Sequence, residues 1–239
     1  MQVTTMSGAT VTLTTDFGEN SPYVAAMKGV LLSINPEVRI LDLSHHIPPQ
    51  EVRHAAFFLA NAIPYFPPEV LHVVVVDPGV GTERAVLYVE TGGHRLLVPD
   101  NGCWTMLLRD DQPPPVVIRL SEPRFWREPV SNTFHGRDIF APVAGHLSRG
   151  LDYRQLGPQT NDWVRLEQPR PVVTQNCIRG ERLSSALARF AVPFGDLDSR
   201  PSALPGRCDH HHGVRKSASQ PCRSASRIRS PSTSSRSMS

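Results

Sequence analysis

The chain has 239 residues, enough for one large domain, or a medium domain with an appendage, and for a sizeable buried core. Its 25 Lys and Arg against 22 Asp and Glu give a net charge of +3, yet six of the basic side chains (Arg215, Lys216, Arg223, Arg227, Arg229, Arg236) fall in residues 210–239, which hold no Asp or Glu. The remainder is mildly acidic and needs no polyanionic partner, and the absence of a long apolar run or a basic, apolar leader makes a membrane span or secretion unexpected, so the chain reads as soluble and cytoplasmic.

Val11 to Thr15 is the first predicted strand, and Tyr23, Val24, Met27, Val30, Leu31 and Ile34 then recur at helical spacing. Asn35-Pro36 closes that helix, because a residue before proline avoids the α region. Ile40 to Leu43 is a second strand and Pro49 to Ala62 a second helix. The unbroken apolar run Leu71 to Val76 has the pattern of a central strand buried on both faces. Val86 to Glu90 and Arg95 to Val98 flank Gly92-Gly93 as a hairpin, Val116 to Leu120 follows a triple proline, and Gly136 to Gly150 is a further helix with Ile139, Phe140, Val143 and Leu147 on one face. The alternation predicts an α/β fold, a Rossmann-like layered sheet flanked by helices.

Periodicity fades after Gly180, and residues 199–239 hold twelve Ser and seven Arg with almost no large apolar side chain. Such a composition cannot bury enough surface to offset ordering entropy, so a disordered tail is predicted from about residue 200. An RNA-binding arm is a rival reading, but no aromatic residues are interleaved with the charges, and no specific nucleic-acid partner is expected. The four cysteines (Cys103, Cys177, Cys208, Cys222) lack CxxC spacing, which argues against a disulfide framework. Cys208 near His210, His211 and His212 has no structural element to hold a tetrahedral shell, so no metal site is assigned.

Three polar clusters fall at strand ends or helix starts, where open α/β sheets place their ligands: Thr14 to Gly18, Asp77 to Arg84, and Asn132 to Asp138. Asp16, directly after a strand, suits a carboxylate that accepts hydrogen bonds from a ribose diol, although taken alone it reads more readily as a turn or capping aspartate. Asp77 ends the apolar strand and leads into a Gly-rich turn that would let backbone approach a ligand. That turn lacks the Lys-Ser/Thr of a phosphate loop, which argues against nucleoside triphosphate hydrolysis. Taken singly, Arg84 could be a surface ion-pair partner and His135 a buried or capping histidine.

In order along the chain, TTDFG, YVAAMKG, DLSHHIPP, DPGVGTER, VPDNG and TFHGRD resemble the S-adenosylmethionine hydroxide adenosyltransferases, relatives of the fluorinase and chlorinase enzymes, over roughly Val11 to Gly180. The resemblance implies hydrolysis of S-adenosylmethionine to adenosine and L-methionine, with S-adenosylmethionine as substrate and no cofactor or metal. It implies a water-activating set of Asp77, Arg84 and His135, with Asp16 on the ribose hydroxyls, Phe134 stacked near the adenosyl group and Asn101 close to the pocket. Halide-using relatives carry an uncharged residue where this chain has Asp77, which argues against halogenation. The family's second, β-barrel domain, with its Phe-Gly-Asn and Thr-Asn signature, completes the pocket across a trimer interface. This chain departs from that pattern after about Gly180-Glu181, in a stretch rich in Ser, Arg and Pro like an out-of-frame reading. The expected organisation is therefore an adenosyl-binding catalytic domain over 1–165, a linker and the start of an incomplete or altered C-terminal domain over 166–198, and the Ser/Arg-rich tail over 199–239. A homotrimer would need that second domain intact. The alternatives are an impaired or non-catalytic adenosyl-binding protein, a halide-using relative, or an interaction protein acting through its tail.

Overall fold

The computed structural model describes residues 9–167, 172–174 and 177–179. The first strand, β1 (Thr10–Thr15), leads into α1 (Pro22–Ile34), whose start is set by the Ser21 side chain accepting the Tyr23 amide and by Pro22 in the first turn. At its end the Asn35 amide donates back to the Leu31 carbonyl. β2 (Arg39–Ser44), α2 (Val52–Ala62), β3 (Leu71–Val75), β4 (Val86–Thr91), β5 (His94–Pro99) and β6 (Val116–Arg119) follow. A single π-helical turn, Gly136–Phe140, runs into α3 (Ala141–Ser148).

The six strands form one sheet in the order β2-β1-β3-β5-β4-β6. β2, β1, β3 and β5 are parallel, while β4 runs antiparallel to both β5 and β6. β3 is buried along its whole length and feeds alternate side chains to the two faces, as its unbroken apolar run predicts. Leu71, Val73 and Val75 pack with Met27 and Leu31 of α1 and with Val143 and Ala144 of α3. Val74, and Val76 just beyond the strand, join Ala55 and Leu59 of α2 and Trp104 in the opposite core. Helices thus cover both faces, and the sheet reads as the expected layered α/β arrangement.

The strand order also locates a crevice. The chain leaves β1 for β2 on one side and returns through α2 to β3 on the other, so the order reverses between β1 and β3; such a switch point leaves an opening at the carboxyl ends of the strands. The second helix starts at Val52 rather than Pro49, because Pro48-Pro49 and a left-handed Gln50 (φ 63°) keep the preceding residues out of helical geometry. The helix expected to run from Gly136 opens with the π turn, which a period of 3.6 does not distinguish. Residues 172–174 and 177–179 form a short antiparallel pair, β7 (Val172–Thr174) with β8 (Cys177–Arg179). The tail, most of the 166–198 segment and the Cys208 to His212 cluster lie outside the described residues. Among the described residues, no helix is long and apolar enough to cross a membrane.

Candidate active site

Asp16 follows β1 and Asp77 lies two residues beyond the end of β3; Thr15 pairs with Val75, so both carboxylates lie at the carboxyl ends of adjacent parallel strands. β4 runs the other way, with Val86 paired to Pro99, so Arg84 before β4 and Asn101 after β5 reach the same edge. Four positions, Asp16, Asp77, Arg84 and Asn101, are thereby gathered by strand direction alone.

His135 comes from the loop that enters the π turn, and Gly81 brings that loop in. Gly81 has φ +78°, and a Cβ there would stand 2.1 Å from the Asn132 carbonyl oxygen, so only glycine lets the two loops close. Gly136, packed against Met27, Phe134 and Val75, seats the start of the turn.

The Arg84 guanidinium lies between the other two groups. Its Nη2 pairs with Asp77 Oδ2 and also donates to His135 Nδ1 at 3.1 Å, while Nη1 donates to its neighbour's carbonyl, Ala85 O, at 2.9 Å. The Gly79 amide donates to the second Asp77 oxygen at 3.2 Å. Side chains of Asp77 and Arg84 are only 4% and 8% exposed, so the pair sits in a poorly solvated edge where its charges interact strongly. Burial raises the Asp77 carboxyl above the ordinary carboxylate range, against the pull of Arg84, the Gly79 amide and His135. Burial and then the adjacent Arg84 charge lower His135, with Asp77 and Asp138 opposing. An arginine can only donate, so His135 Nδ1 carries a lone pair and the proton of the neutral ring is on Nε2. Arg84 Nε is buried without a protein partner among the described residues, a cost tolerated more readily in a functional edge than in a passive core.

Asp16 is partly occupied. Its Oδ2 accepts the Gln50 amide at 2.8 Å. Phe134 is 7% exposed and forms an aromatic trio with Tyr23, edge-on at 4.7 Å, and Phe17, at 6.0 Å, with the Arg137 guanidinium over its ring at 5.1 Å. Asn101 uses both ends of its amide on backbone: Nδ2 donates to Val76 O at 2.9 Å and Oδ1 accepts from Cys103 N at 3.1 Å. It therefore ties the turn after β5 to the residue preceding Asp77. Cys103 is free and fully buried, its thiol pushed up by burial and by the Asp77 charge, which leaves it inert.

Asp138 lacks a role in the sequence reading and has a clear structural one. It is fully buried and accepts from Arg137 Nε at 2.6 Å and Nη2 at 2.8 Å, and from the Ser131 amide at 2.9 Å, with Arg127 Nη1 at 3.4 Å. Burial alone would raise this carboxyl, but those bonds outweigh it and hold the group below the usual range. The available signal was an acidic residue inside an apolar stretch, which buries only with partners. Tyr23 was legible as part of an apolar helix face, but its 52% exposure beside Phe134 was not. Among the described residues, no group of three or more His, Cys, Asp or Glu is arranged to hold a metal ion.

Residues 11–157 match the SAM hydroxide adenosyltransferase N-terminal domain. The chain belongs to this family. It is 41% identical over 167 residues to the (R)-S-adenosyl-L-methionine hydrolase of Methanocaldococcus jannaschii, an alignment covering 67% of this chain and 60% of the relative. The chain thus spans about three fifths of that curated relative's length. A fluorinase from an Actinoplanes species is 24% identical over 207 residues, covering 76% of this chain and 68% of the fluorinase. The fold also matches a crystal structure of an uncharacterized conserved protein from Thermotoga maritima, with a TM-score of 0.65 at 36% identity over 68% of this chain and 64% of that one. Family membership places the edge built by Asp77, Arg84 and His135 within the matched domain.

Proposed function

We propose that the protein hydrolyses S-adenosyl-L-methionine to adenosine and L-methionine, taking the (R) sulfonium epimer that its named relatives act on. The observation that carries this reading is the Arg84 guanidinium touching both Asp77 and His135 at the carboxyl edge of the sheet. The sulfonium departs as a neutral thioether, so no acid is needed for the leaving group and no cofactor or metal is required. What the reaction needs is water held in line with the C5′ to sulfur bond and relieved of a proton as it attacks.

The hydrogen-bond directions divide the labour. The single Nδ1 lone pair of His135 is engaged by Arg84, so its Nε2–H can only donate, orienting a water oxygen. A carboxylate has four lone-pair sites, and Asp77 spends two on Arg84 and Gly79, leaving capacity to take the proton. Arg84 orients the carboxylate and stabilises hydroxide-like charge in a poorly solvated edge. Asp16 would take the ribose hydroxyls with the oxygen that Gln50 leaves open, and the Phe17, Tyr23 and Phe134 rings offer the apolar wall for the adenosyl group. Asn101 acts by holding the two turns together. A cytoplasmic location and a trimer completed by a C-terminal domain belong to the same reading.

Chromatography of the reaction tests it: wild-type protein with S-adenosylmethionine should release adenosine, and Asp77→Asn should lower turnover by about a hundredfold, the range for losing a positioned base. Unchanged turnover would remove Asp77 from the mechanism. Binding without release would make the chain an adenosyl-binding protein, and halogenated adenosine formed in chloride or fluoride would make it a halide user.

A further inference from the structure

The loop after β2 holds the turn that carries Asp16 through more than the Gln50 amide. β1 and β2 pair in regular parallel register up to Leu13 and Asp42, and then the register shifts so that Thr14 pairs with Ser44. The extra residue carries His45 alongside Thr15, the last residue of β1. A bulge of this kind commonly re-aims a side chain beside a functional turn.

His45 is 7% exposed and Thr15 is fully buried. Thr15 Oγ1 lies 2.9 Å from His45 Nδ1 and accepts the Phe17 amide at 3.3 Å, while the Gly18 amide donates to the His45 carbonyl at 2.8 Å. With His45 Nε2 lying 3.1 Å from Asp42 Oδ1, the ring proton belongs on Nε2 and the Nδ1 lone pair accepts from the Thr15 hydroxyl. That Nε2 contact is too oblique for a full hydrogen bond and leaves an attraction between the Nε2–H dipole and the carboxylate, while Asp42 is itself held by Lys28 of α1 at 2.5 Å. The chain of contacts therefore runs from α1 through β2 into the backbone of the turn that presents Asp16. The same loop supplies the Gln50 amide to one Asp16 oxygen, which restrains the rotation of the carboxylate.

We infer that His45 is a positioning residue: with Thr15 it locks the Asp16-Phe17-Gly18 turn in the orientation that receives the nucleoside part of the substrate. The inference rests on the adenosyl-binding role of that turn. Nothing in it requires His45 to touch substrate. Its effect should appear in affinity for adenosine and in KM, and hardly in kcat, since the water-activating groups sit on other strands.

The experiment uses the full-length protein and measures the adenosine Kd by calorimetry together with KM and kcat for S-adenosylmethionine. Thr15→Val, which keeps shape but loses the hydroxyl, should raise Kd and KM about tenfold, the equivalent of one net hydrogen bond, with kcat within about twofold. Thr15→Ser restores the hydroxyl and should behave like wild type. At the other end, His45→Leu should match Thr15→Val, His45→Asn should recover affinity because its amide oxygen can stand where Nδ1 stood, and the Thr15→Val/His45→Leu pair should be no worse than either alone. A fall in melting temperature with Kd and KM unchanged would overturn the positioning role and leave hydrolysis standing. Wild-type protein that binds adenosine but releases none from S-adenosylmethionine would sink the hydrolase reading, and the Kd series would still decide the role of His45. Failure of the wild type to bind adenosine would overturn both.

Discussion

Gly81→Ala tests whether the site is assembled by the close approach of two loops. An alanine there meets two costs. A left-handed φ of +78° costs an L-residue about 1–2 kcal/mol, and the new Cβ would stand 2.1 Å from Asn132 O, where contact normally begins near 3 Å. The loops must therefore part by about 1 Å, which is enough to stretch the 3.1 Å bond from Arg84 to His135 beyond hydrogen-bonding range. A misplacement of about 1 Å can cost about a hundredfold in rate. Gly93 is the control: its φ is +81°, but its Cβ position has no atom within 4 Å and it lies in the β4-β5 hairpin. Gly93→Ala should thus show a similar backbone penalty in thermal melting with kcat/KM near wild type, whereas Gly81→Ala should lose about two orders of magnitude. Equal kcat/KM in the two variants, read from adenosine release, would refute the idea that the Gly81 approach delivers His135.

Asp16→Ala should weaken adenosine binding by about 1.5–3 kcal/mol per charge-assisted bond lost, and a 2′-deoxy analogue should lose less in the variant than in wild type; equal losses would show that Asp16 does not hold the diol. His135 should titrate below its ordinary 6.5, because burial and the Arg84 charge both disfavour its cation, so the acid limb of kcat/KM should lie below pH 6.5; an NMR midpoint at or above 6.5 would contradict the buried geometry. His72, buried against Thr12 with its pKa lowered to about 4, takes up its proton in the unfolded state first, so its contribution is intact above pH 6.5 and is lost as pH falls toward 4, by at most about 3 kcal/mol. His72→Leu should lower stability at pH 7, by leaving the Thr12 hydroxyl unpaired, yet flatten the decline between pH 6.5 and 4; an unchanged slope in chemical denaturation would dissociate His72 from acid unfolding.

The sequence by itself determined the layered fold, because apolar period and turn chemistry are local: the Leu71 to Val76 run could only be an inner strand if it was a strand, and Asn35-Pro36 could only end a helix. It also supplied the site residues as three separate clusters, each with an innocent reading of its own. Only the tertiary structure decided which of them meet. Strand direction brings Asp16 beside Asp77, and the antiparallel turn of β4 delivers Arg84 to the same edge; neither follows from residue spacing. The π turn after His135, the β1-β2 bulge at His45 and the approach permitted by Gly81 are single-residue irregularities, invisible to any periodic pattern. Proton placement was beyond the sequence for the same reason: which nitrogen of His135 is free depends on a guanidinium 51 residues away in the chain, and a tautomer is fixed by contacts, not by order.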